Sequence, residues 1–385
     1  MFGKYINSAI FILIVVFLEI CTVRAADTLP FTMSRDVYAV PGIECNVYFA
    51  NLILTPNSSN YLFEVDCVKG RHDQERWRYV PEDGDAGDYP LSIKVLNEKN
   101  IVVASGEAIL HVIPRNAGHG ERVNLLIIGD SLTDHNVYPQ TIYDNLQVQE
   151  NPAVTFLGTN WMFGRKPDKV AHEGYGGWTW GSFLNRWDEN PSGPAYRSKS
   201  KFLRKENGKL ILDFQYYCDT FLKGKKPDII TVMLGTNEMF GAKDNALDSA
   251  IDRMFNNADI LIAEFLKVVP NAIIGIALTP PPAATQDAFG SNYQCKISRW
   301  QFRRRQFRLI ERQIKKYASQ YPKVSLIPVF SGLDCVHNFP VVTEAVNARN
   351  PQLILRQSNG VHPSKEGYRQ IGDIFYCWLK YQFHT

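Results

Sequence analysis

Val123-Asn124-Leu125-Leu126-Ile127-Ile128-Gly129-Asp130-Ser131-Leu132 joins an apolar run to a tight turn that carries a serine. The run is short, aliphatic and closed by glycine, which predicts a buried strand over 123–128. Similar runs occur at 154–157, 229–234, 273–277 and 324–327. Between them lies helical periodicity: Leu247, Ala250, Ile251, Met254, Ala258, Leu261 and Phe265 recur at three and four residues, and a last helix is expected over 365–380. Alternation of strand and helix implies a parallel sheet covered on both faces, with ligands at the carboxyl ends of the strands. Ser131 stands at such an end. On its local sequence alone it serves equally well as a helix cap.

Upstream, 29–114 reads differently. Short strand-like runs at 46–54, 61–68 and 91–96 are separated by Pro, Gly, Asn and Asp, which predicts a small all-β module. Asp85, Gly87 and Tyr89 look like the tyrosine corner of an immunoglobulin-like sandwich. With 116–120 as a linker, the expected organisation is a β-sandwich accessory domain over 26–115 and an α/β domain over 121–385. At the amino terminus Lys4 precedes an apolar run, 10–18, that Glu19 closes. That layout predicts a signal peptide over 1–25 with cleavage after Ala25, because a membrane span needs about 20 apolar residues. Bulky Ile20 argues against lipidation of Cys21. The expected location is therefore secreted or periplasmic, with no membrane span in the mature chain.

The formal net charge of +3 argues against a dedicated nucleic-acid binder. The basic run Arg303, Arg304, Arg305 is expected to form a solvated helix face beside the apolar stripe of Phe307, Ile310, Ile314 and Tyr317. Export would leave Cys45, Cys67, Cys218, Cys295, Cys335 and Cys377, to be read as structural bridges or buried thiols. None lies in a C-x-x-C pair or near closely spaced histidines, so no metal site is expected.

Three further elements lie where the chemistry should be. Asn237 follows the 229–234 strand in Leu234-Gly235-Thr236-Asn237, Gly174, Gly176 and Gly177 cluster before Trp178, and His362 lies in Asn359-Gly360-Val361-His362-Pro363 ahead of the last helix. The G-x-S-x-G elbow of α/β-hydrolases is absent, because Thr133 stands at the second glycine position. Together the four elements, spread over 124–379, resemble the blocks of the SGNH (GDSL) hydrolase family. The resemblance implies a three-layer α/β/α sandwich around a parallel, flavodoxin-like sheet. It implies Ser131 as nucleophile, His362 as base, and an oxyanion hole made by the N–H groups of Ser131 and Gly177 and the side chain of Asn237. The resulting acyl transfer needs neither metal nor nucleotide cofactor.

One position departs from the family pattern, which has an acid where Asn359 stands. In a protease triad the comparable acid-to-amide change lowers turnover by about 10⁴. Three alternatives follow: Asn359 or a backbone carbonyl orients His362 in a dyad, another carboxylate such as Glu238 or Asp373 does so, or the protein is catalytically weak. Around the oxyanion glycine cluster Trp161, Phe163, Tyr175, Trp178, Trp180, Phe183 and Trp187, with Phe240 and Tyr293 near later strand ends. Such rings either pack in the core or stack on sugars. With export and an accessory module they favour a small ester or O-acetylated polysaccharide as substrate. A lipid or aryl esterase and a non-catalytic carbohydrate-binding protein are the alternatives.

Overall fold

The computed structural model describes residues 29–148, 150–165, 167–320 and 323–384, so the expected signal peptide lies outside the described residues. The amino-terminal strands are β1 (Asp36–Ala39), β2 (Cys45–Tyr48), β3 (Leu62–Asp66), β4 (Arg71–His72), β5 (Arg76–Tyr79), β6 (Gly87–Leu96) and β7 (Val102–Val112). They form a four-stranded sheet ordered β1-β7-β6-β3 and a three-stranded sheet ordered β2-β5-β4. Val47 and Trp77 from one sheet and Leu91, Ile93 and Leu110 from the other are buried in one cluster. Tyr89 donates its hydroxyl to the carbonyl of Asp85 at 2.9 Å, the bond that defines a tyrosine corner.

The expected strand over 46–54 stops early, because after Tyr48 the chain turns into the one-turn helix α1 (Phe49–Leu52). Tertiary contacts hold that turn. Arg303 donates to the carbonyls of Ala50, Asn51 and Ile53 at 2.8–3.2 Å, and Asn51 donates to the carbonyl of Leu333 at 2.8 Å. The expectation of a solvated arginine face is thereby corrected: Arg303 and Arg305 are 4% and 8% exposed. Arg303 stands four residues before Phe307, on the apolar stripe itself, and its charge is met by backbone oxygens of the β-module. The core of that module also takes in Leu278, Ile310 and Phe330 from beyond it.

From Arg122 onward the strands are β8 (Arg122–Gly129), β9 (Ala153–Leu157), β10 (Glu173–Gly174), β11 (Leu203–Glu206), β12 (Lys209–Leu212), β13 (Ile229–Met233), β14 (Ile273–Ala277), β15 (Val324–Ile327), β16 (Val341–Asn347) and β17 (Asn350–Gln357). The helices that matter for the site are α2 (Ser131–Asp134), α3 (Val137–Asn145), α4 (Trp180–Asn185), α5 (Phe214–Phe221), α6 (Thr236–Gly241), α7 (Leu247–Val268), α8 (Gln286–Tyr293), α9 (Arg299–Gln320), α10 (Val329–Gly332) and α11 (Lys365–Tyr381). β8, β13, β14 and β15 pair in parallel, and β9 and β10 both pair with the free edge of β8. Alternation along β8 sends Leu126 and Ile128 to the layer of α5 and α7, and Leu125 and Ile127 to that of α3 and α11. This is the three-layer sandwich. The chain order reverses between β8 and β13, so the crevice outside their carboxyl ends is the topological switch point.

Two antiparallel hairpins, β11-β12 and β16-β17, lie outside the parallel sheet and were not anticipated from the sequence. All six cysteines among the described residues are free thiols, and Cys45, Cys218, Cys335 and Cys377 are buried.

Candidate active site

Ser131 and Asn237 come from the two sides of the switch point. Ser131 is the first residue of α2, and the N-cap is Asp130, whose Oδ1 accepts from the N–H of Leu132 at 2.9 Å. The capping role open to Ser131 is thus taken by its neighbour. Its own N–H, at the start of a helix, has no intrahelical partner. His362 arrives from 231 residues along the chain, and its Nε2 meets Ser131 Oγ at 2.9 Å.

The histidine loop is fixed from three sides. Asn359 Oδ1 accepts from the N–H groups of Val361 and His362 at 3.1 and 2.9 Å, an Asx turn that sets the backbone. The N–H of Gly360 donates to Asn292 Oδ1 at 3.1 Å, its carbonyl accepts from Ala283, and Ser364 caps α11 directly afterwards. Asn359 therefore orients the loop and makes no hydrogen bond to the imidazole. Neither of the other carboxylates weighed for the task reaches it: Asp373 accepts from Asn145 at 2.8 Å, and Glu238 accepts from the N–H of Trp180 at 2.7 Å.

What does lie against His362 is His135, with ring centroids 5.3 Å apart. His135 is in turn stacked on Tyr368 at 5.3 Å and edge-on to Phe163 at 4.8 Å. Burial, and then the proximity of His135, push the His362 pKa down to about 4, so the imidazole is neutral at pH 7 and able to accept the serine proton.

The residues expected to supply the oxyanion hole are tied to the turn that carries Ser131, Asn237 through Asp130 and the Gly177 loop through Asp134. Gly177 has φ +79°, a backbone conformation that disfavours side chains, and its N–H meets no acceptor among the described residues. Its loop is held by Asp134, a fully buried carboxylate that sequence reading passed over. Asp134 accepts from Gly176 N–H at 3.1 Å, Tyr196 hydroxyl at 2.8 Å, Asn160 at 2.8 Å and Phe163 N–H at 3.0 Å. The amide of Asn237 donates to the carbonyl of Trp178 at 2.8 Å and to Asp130 Oδ2 at 3.2 Å, so one of its protons is held by the longer, weaker bond. Arg305 fixes the far end of α6, contacting the carbonyls of Met239 and Phe240 at 3.4 Å and Asp244 at 2.7 Å.

Behind the oxyanion elements two carboxyls share a dry region. Asp130 is fully buried, and burial, with Glu238 and Asp134 nearby, pushes its pKa up to about 7. Burial does the same to Glu238, also to about 7, and its Oε2 has no hydrogen-bond partner among the described residues. Tyr175, Trp178, Trp180 and Phe183 are at most 1% exposed. These four rings build the core under the site and do not form a sugar-stacking rim, whereas Trp161 and Phe163 remain at the surface.

The GDSL-like lipase/acylhydrolase family model matches residues 125–375. No curated protein matches the chain. Among solved structures, a family 3 carbohydrate esterase from Clostridium thermocellum is 19% identical, the match covering 66% of this chain and 94% of that one at a TM-score of 0.38. A family 3 carbohydrate esterase from Talaromyces cellulolyticus is 15% identical, with 68% and 98% covered, also at 0.38.

Proposed function

The chain belongs to the GDSL-like lipase/acylhydrolase family, and from that premise we propose that it is a serine esterase that removes acetyl groups from carbohydrate, Ser131 being the nucleophile and His362 the base. The observation that carries the reading is the 2.9 Å contact of Ser131 Oγ with His362 Nε2. Ser131 Oγ attacks the ester carbonyl carbon as its proton passes to Nε2. The oxygen of the tetrahedral intermediate is met by the N–H groups of Ser131 and Gly177 and by the amide of Asn237. Fixed donors of this kind are worth about 3 kcal/mol each in comparable sites. The bond to the alcohol then breaks, and His362 returns the proton to the departing oxygen. Water, deprotonated by the same nitrogen, attacks the acyl-enzyme, and acetate leaves as Ser131 regains its proton.

A neutral His362 suits this cycle, although burial reduces its basicity and no carboxylate among the described residues hydrogen-bonds the imidazole. The work of orientation is divided: Asn359 sets the backbone, and the ring of His135, itself stacked on Tyr368, backs the imidazole. The test is acetate release from para-nitrophenyl acetate by the parent and by Ser131→Ala. Turnover by the parent alone supports the dyad, and equal rates refute it. A preference for acetyl over long acyl chains then separates a carbohydrate esterase from a lipid esterase.

A further inference from the structure

A cleft of about 860 Å³ opens beside the reaction centre, with His135 forming part of its wall. Neither Ser131 nor His362 lines it, and it reaches the dyad through the single ring of His135, 5.3 Å from that of His362. The departing alcohol, which takes its proton from His362 Nε2, leaves from this neighbourhood, and the cleft is a large open space next to it.

The cleft is lined by Arg165, Lys365 and Arg369; among the described residues none of the three forms an ion pair, though the charges of Lys365 and Arg369 reach Glu366 and that of Arg369 reaches Asp373. Several cations elsewhere are paired, as Arg305 is with Asp244, Arg308 and Arg312 with Asp248, and Arg356 with Asp287 and Glu344. The two acids at the cleft are engaged by neutral donors, Asp144 by Gln140 at 2.8 Å and Asp168 by the N–H of Lys169 at 2.7 Å. Trp161 also lines the cleft, its indole N–H fixed on the carbonyl of Asp168 at 3.1 Å, which holds the ring rigid. A flat ring beside unpaired cations is suited to a sugar that carries a carboxylate.

Resting on the esterase reading, we infer that the cleft binds the alcohol part of the substrate and selects acetylated glycans containing uronic acid units over neutral ones. The test compares the full chain on acetylated oligogalacturonate, acetylated neutral oligogalactose and para-nitrophenyl acetate. The acidic oligosaccharide is expected to have a kcat/KM about tenfold above the neutral one, consistent with charge-assisted contacts. Salt of about 1 M should erase that excess by screening. Arg369→Gln, checked for folding by its melting temperature, should reduce the ratio several-fold. Equal kcat/KM for the two oligosaccharides, or an excess indifferent to both salt and Arg369→Gln, overturns the inference while para-nitrophenyl acetate turnover keeps the esterase reading intact. Failure on all three esters overturns the esterase reading and the inference with it.

Discussion

Asp130 Oδ2 accepts from the amide of Asn237 at 3.2 Å, which ties the residue before Ser131 to the proposed oxyanion donor across the seam between β8 and β13. The fully buried carboxyl thus helps to set where that amide points.

Asp130→Asn tests that link. Its Oδ1 must still accept from Leu132, which turns the new amide nitrogen toward the amide nitrogen of Asn237, donor against donor. The expected result is a fall of about tenfold or more in kcat with KM changed little, since full loss of an oxyanion donor costs about 10²–10³. Steady-state kinetics on para-nitrophenyl acetate checks it.

The acid limb of activity reports His362. A base must be unprotonated, so kcat/KM falls as pH drops through its pKa, here about 4 and well below an ordinary histidine. His135→Gln removes the neighbouring ring that contributes to the lowering, and the limb should move to higher pH. A limb near 6.5 in the parent would contradict the buried environment.

Glu238 gives stability its own pH dependence. Its carboxyl keeps a proton in the folded chain up to about 7, whereas in the unfolded chain it loses it near the usual 4.5. Folding therefore takes up a proton in that window, and the contribution is complete below about 4.5 and lost as pH rises through about 7. Glu238→Gln cannot ionise, so its melting temperature relative to the parent should rise between pH 5 and pH 8. A difference independent of pH would show that the carboxyl titrates normally.

Arg303→Met addresses the join of the two parts. Three carbonyls of the β-module lose a charged donor in a buried place. Hydrogen bonds to charged groups contribute about 1.5–3 kcal/mol, so a loss of about 3 kcal/mol is expected, read as a lower urea midpoint.

How much of this was visible in the residues follows from what each pattern encodes. The short aliphatic run over 123–128 and the period near 3.6 over 247–265 are local signals, and β8 and α7 appear where those signals lie. Ser131, Asn237 and His362 follow strands or precede a helix, so their convergence is a consequence of topology. Asn359 was singled out for its chemical type, but which atoms its oxygen reaches depends on the loop's turn. Asp134 carried a weak signal, being three residues past Ser131 on the same turn, yet its four donors come from Asn160, Phe163, Gly176 and Tyr196, which no spacing links. Arg303 was misread although its spacing from Phe307 placed it on the apolar face. Charge suggested water, and only the folded neighbour shows backbone oxygens there.

The shared cluster of Leu278, Ile310 and Phe330 with Val47, Trp77 and Leu110 means that the β-module is no detachable cassette. Cutting it away would bare apolar side chains of the catalytic part as well as its own. Moving it onto another scaffold would require transplanting the receiving face of α9 and α10 with it.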